Sequence, residues 1–120
     1  MFTRILSFTL KPNAGPQFTN ALEKTVLPIL REQPGFRDEL LLVEPGGPKV
    51  LALSLWDSKE SADKYSRAAY PDVLSALSGL IEGEPRIETY LLAFSTAHRV
   101  DLNEMPVQSP NITPVPGVGG

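Results

Sequence analysis

No cysteine occurs among the 120 residues, which excludes a disulfide framework, thiol catalysis and thiolate-held zinc or iron–sulfur centres within one chain. Histidine is nearly as scarce. With His98 alone, a multi-histidine metal site cannot be assembled from a single copy. Basic residues are in the minority, 11 Lys and Arg against 14 Asp and Glu, for a formal charge of −3. Lacking a basic stripe, the chain is not expected to partner nucleic acid or an anionic membrane surface. No apolar run approaches the roughly 20 residues that span a bilayer. The opening Met1-Phe2-Thr3-Arg4-Ile5-Leu6-Ser7-Phe8 is too broken by polar side chains for a signal-peptide core, so a cytoplasmic location is expected.

What remains is ordinary globular composition, 42% apolar and 21% charged, in the length of one domain. From Thr3 to Leu10 the residues alternate, with Leu6, Phe8 and Leu10 on one face, the period of a half-buried strand. Pro16 suits the first turn of a helix predicted to reach about Glu32, with Phe18, Leu22, Thr25, Val26, Ile29 and Leu30 on one stripe. Pro28 lies inside that stripe and removes the bond to the Lys24 carbonyl, so a kink is expected there. Phe36–Glu44 and Lys49–Trp56 read as a hairpin around Pro45-Gly46-Gly47-Pro48. Asp57 is the expected N-cap of a second helical region, with Glu60 completing a capping box. Ala62, Tyr65 and Ala69 face inward from it, and a short third helix is expected from Val73 through Ile81. A last strand is predicted over Arg86–Ser95, after a solvated acidic turn holding Glu82 and Glu84, with Glu88 close by.

The resulting β-α-β-β-α-β order specifies an α+β, ferredoxin-like protomer with a four-stranded antiparallel sheet and helices on one face. Residues 1–98 form the domain. Seven of the 22 residues from Arg99 to Gly120 are Pro or Gly, which predicts a tail or surface arm over 99–120. The sheet face away from the helices carries leucines and valines, so pairing with a second copy into a closed barrel is expected.

The element order, the Gln33-Pro34-Gly35-Phe36 step and the passage from Leu53 through Trp56-Asp57-Ser58 to Ala62 resemble the antibiotic biosynthesis monooxygenase superfamily, over roughly Thr3 to Phe94. The resemblance implies a dimeric α+β barrel with a pocket between helices and sheet in each protomer. Active members oxidise phenols or quinols without metal or flavin, or degrade haem. The asparagine, tryptophan and histidine of the haem-degrading branch fall on Leu6, Tyr65 and Ser75, so haem degradation is not implied. No cofactor is expected. The functional expectation is a cofactor-independent monooxygenase of a small aromatic phenol or quinol. The alternative is a non-catalytic barrel that binds an apolar metabolite or serves only as a dimerisation module.

Candidate catalytic residues are Tyr65 and Tyr70, whose hydroxyls can bond a substrate phenol, and His98, which can take a phenolic proton. Leu6, Phe8, Trp56, Arg67 and Phe94 are candidates for binding substrate, Trp56 either stacking on an aromatic ligand or packing under the second helix. Arg4, like Arg67, is a candidate for stabilising a deprotonated substrate.

Overall fold

The computed structural model describes residues 1–100, so most of the expected tail lies outside the described residues. Strand β1 (Phe2–Leu10) is followed by helix α1 (Gly15–Ala21), a π-helical turn (Leu22–Val26) and helix α2 (Leu27–Arg31). Strands β2 (Phe36–Val43) and β3 (Lys49–Trp56) then precede helices α3 (Lys59–Ala68) and α4 (Tyr70–Leu77) and strand β4 (Ile81–Leu91). All strands pair antiparallel in the order β2-β3-β1-β4, the ferredoxin-like sheet expected from the element order.

Pro28 shows how one missing donor is absorbed. The Leu27 N–H bonds the Leu22 carbonyl, five residues back, and Pro28 then falls in the first turn of α2, where its lack of an N–H costs little. Phe18, Val26 and Leu30 from this region are buried against the sheet, whereas Thr25 is exposed and does not belong to the inward stripe.

Three local expectations are corrected. The N-cap of α3 is Ser58, not Asp57: Ser58 has extended backbone angles and its hydroxyl oxygen accepts from the Ser61 N–H at 3.2 Å. Helix α4 ends at Leu77, because a turn bonding the Leu80 N–H to the Leu77 carbonyl closes it and places Ile81 in the core as the first residue of β4. The last strand is therefore Ile81–Leu91 rather than Arg86–Ser95, and Glu82 and Glu84 lie on it instead of in a turn. An edge strand tolerates this sequence, since Gly83 (φ +63°) and Pro85 fall at the register irregularity opposite Ser7 and Thr9.

The register assigns each strand residue to a face. On the helix face one row runs Leu91–Phe2–Trp56–Phe36 and another Ile87–Leu6–Ala52–Leu41. Between them runs a polar row, Thr89–Arg4–Ser54–Glu39. The opposite face exposes Leu40, Leu42 and Leu51, each at least 40% accessible.

Candidate active site

The polar row is enclosed by aromatic rings. Trp56, fully buried, stacks on Tyr65 at 4.8 Å between centroids and meets Phe36 edge-on at 5.6 Å. Its indole N–H donates to the Ser54 hydroxyl at 2.9 Å, and that hydroxyl in turn reaches the Arg4 carbonyl at 3.4 Å. Trp56 is thus fixed by hydrogen bonding as well as packing.

Arg4, a candidate from the sequence, is buried beside these rings. A guanidinium seldom lies inside a domain without a counter-charge, yet this residue is 6% accessible. Its guanidinium carbon lies 4.1 Å from the Tyr70 ring centroid and 5.5 Å from that of Tyr65, so aromatic faces carry part of the cost of burying the charge. Glu39, the far end of the row, is too weakly ionised to complete a pair. Burial, reinforced by the neighbouring Asp38 charge and opposed by Arg4, raises its carboxyl from 4.5 to about 8. Burial likewise raises the Tyr65 phenol well above its ordinary value, with Arg4 opposing, and raises Tyr70 in the same direction. Both phenols are hydrogen-bond donors at neutral pH and poor bases.

A cavity of about 30 Å³ lies between this row and the helices, lined by Arg4, Leu6, Glu39, Ala52, Ser54 and Tyr65 among others. Its volume suits one or two water molecules. Among the described residues no group of three Asp, Glu or His side chains is placed to hold a metal ion.

Of the residues singled out from the sequence, Arg4, Leu6, Phe8 and Tyr65 line the cavity. Tyr70, half-buried, covers Arg4, and Trp56 backs Tyr65. Arg67 is exposed on α3, and Phe94 is 70% accessible beyond β4. His98 bonds Asp38 at 2.7 Å, on the sheet face opposite the cavity. Glu39 and Ser54 join the site without having stood out in the sequence. The signal for Ser54 is a lone hydroxyl at inward parity in an apolar strand. Glu39 carries no such signal, because the irregularity between Phe36 and Asp38 shifts the parity of β2 and turns both Phe36 and Glu39 inward.

The fold has clear relatives. A mutant form of SnoaB, a cofactor-independent oxygenase of Streptomyces nogalater, superposes with a TM-score of 0.66 at 17% identity, covering 81% of this chain and 97% of that one. The Streptomyces coelicolor monooxygenase from ActVA-Orf6, in complex with nanaomycin D, gives 0.63 at 20% identity over 74% and 84%. A Bordetella bronchiseptica protein, described as a putative antibiotic biosynthesis monooxygenase, gives 0.67 at 12% identity over 78% and 97%. A search of curated protein sequences gives no significant match. The family model for antibiotic biosynthesis monooxygenases matches residues 1–71, spanning β1 to the start of α4. The chain belongs to the antibiotic biosynthesis monooxygenase family.

Proposed function

We propose that this protein is a cofactor-independent monooxygenase of a small aromatic phenol or quinol, bound between the helices and the sheet. The observation that carries the proposal is the pairing, in one register row facing one cavity, of a buried guanidinium and a carboxyl that titrates near neutral pH. Arg4 would hold the phenolate oxygen. Glu39, ionised in about a tenth of molecules at pH 7 with its pKa about 8, would accept the phenolic proton. Tyr65 and Tyr70 donate hydrogen bonds and supply ring faces. The phenolate then gives electrons to dioxygen, a carbon–oxygen bond forms at the ring carbon, and loss of water leaves a quinone. One oxygen atom enters the product and the other leaves as water, while the substrate supplies all four electrons. Support comes from SnoaB, a relative of the same fold that is a cofactor-independent oxygenase.

An aromatic ring does not fit a cavity of about 30 Å³. Entry requires the side chains that line it to move apart. The exposed Leu40, Leu42 and Leu51 support the further proposal that two copies pack sheet to sheet.

The test is oxygen uptake with a panel of dihydroxy-aromatics, alongside Trp56 emission during titration with the same compounds. Saturable uptake that falls about 100-fold or more in Arg4→Met is expected. Saturable quenching without uptake would instead favour a non-catalytic barrel that binds an apolar metabolite.

A further inference from the structure

Beyond β4 the chain is tied back to the sheet at two points. The Leu92 N–H bonds the Met1 carbonyl at 2.8 Å, and six residues later His98 Nε2 lies 2.7 Å from Asp38 Oδ2. Strands β4 and β2 are opposite edges of the sheet, so Leu92–His98 runs from one edge to the other. Between these two anchors lies the row Tyr90–Thr3–Leu55–Asp38 of the open face. Thr3 and Leu55 are buried there, at 6% and 4% accessibility, although Leu40, Leu42 and Leu51 on the same face are exposed. A turn in which the Ser95 hydroxyl oxygen accepts from the Ala97 and His98 N–H groups, each at 3.0 Å, aims the imidazole at Asp38.

Asp38 has a second role. Its other carboxylate oxygen accepts from the Glu39 N–H at 2.8 Å, beside the irregularity that sets the parity of β2. One carboxylate therefore joins the segment on the open face to the residue that enters the cavity on the opposite face. We propose that Leu92–His98 is a strap on the candidate site: by fastening to Asp38, His98 acts as a positioning residue that sets how Glu39 is presented to the cavity and how readily it gives up its proton. The inference rests on Glu39 as the titrating carboxyl of the proposed function.

The charge logic gives opposite signs for the two partners. The charged and titratable groups that act on Glu39 are Arg4 from β1 and Tyr65 from α3 on the cavity side, and Asp38, its neighbour on its own strand, from the open face. Asp38 repels a second negative charge on Glu39, and His98, as imidazolium or as a hydrogen-bond donor, draws that field toward itself. Removing His98 leaves the Asp38 charge less compensated, and removing the Asp38 charge relieves Glu39.

The experiment is a pH titration of the Glu39 side-chain carboxyl by carbon-13 NMR in the full chain. Asp38→Asn is expected to lower the midpoint by about one pH unit, and His98→Ala to raise it by about half a unit. His98→Gln, which restores a donor, is expected to return it toward the parent value. A structural role alone would move all three variants in one direction or none. An unmoved midpoint in His98→Ala, or a fall matching that of Asp38→Asn, overturns the proposal. No substrate enters this titration, so an absence of oxidase activity leaves it standing, and failure of the strap leaves the proposed oxidation untouched.

Discussion

Replacing Glu39 by glutamine tests the electrostatics of the site with no ligand present. The carboxyl is lifted from 4.5 to about 8 by burial and by Asp38, against the pull of Arg4. An acid whose pKa is higher in the folded state keeps its proton longer there than in the unfolded chain. Stability from this group is therefore greatest below pH 4.5 and declines as pH rises through the window from 4.5 to about 8. At about 1.4 kcal/mol per pH unit, the part of that window below pH 7 corresponds to about 3 kcal/mol. The carboxyl is half-buried rather than sealed, and solvent screening brings the expected loss at pH 7 to about 1.5–3 kcal/mol. Glutamine has nearly the same shape and no charge to bury. Urea unfolding of both proteins from pH 5 to pH 9 is the assay, and the stability difference is the observable, because other titrating groups cancel. Glu39→Gln should gain on the parent by about 1 kcal/mol per pH unit across the middle of the window, then level off above about pH 8. Parallel stability curves over the whole range would refute the assignment of a strongly raised pKa.

Other substitutions probe the parts that hold the site. Trp56→Phe removes the bond to Ser54 and part of the stack on Tyr65, and urea unfolding should show a loss of about 2–3 kcal/mol. Gly35 has φ +83° and a Cβ there would lie 2.4 Å from both Asp57 Oδ1 and Ser61 Oγ, so Gly35→Ala should cost about 2 kcal/mol or more in the same assay. Ser58→Ala should cost about 1 kcal/mol with the loss of the α3 cap, while Asp57→Ala should cost clearly less, and the reverse order in thermal unfolding would contradict the corrected cap.

The fold was legible where periodicity and punctuation agreed. Alternation in β1, the Pro-Gly-Gly-Pro turn and the apolar stripe through Pro28 each define their element locally, although Thr25 falls outside the stripe and a π-helical turn divides the helix. The boundary between α4 and β4 was not. Leu80 and Ile81 continue a helical stripe in sequence, and only the tertiary fit of Ile81 into the core, with its pairing to Leu10, makes it a strand residue. Gly83 and Pro85 then read as a turn because a strand interior excludes them, whereas an edge strand with an irregular register accepts them. The cavity was legible in part, through Arg4, Leu6, Phe8 and Tyr65, which inward parity and the helical stripe point at one another. Glu39 was hidden, since one extra residue in β2 decides which face it enters, and that irregularity leaves no mark in the local sequence. His98 drew notice as the sole histidine, and the structure gives it a partner, Asp38, that no spacing rule connects across 60 positions.

The most direct test of the proposed chemistry is oxidation of a dihydroxy-aromatic under ¹⁸O-labelled dioxygen, with the product mass and the pH dependence of the rate both recorded. The expected result is a quinone carrying one labelled oxygen, a rate that rises through about pH 8, and loss of that rise in Glu39→Gln. An unlabelled product, or labelled product formed equally fast by Glu39→Gln and Arg4→Met, would contradict the proposed roles of the polar row.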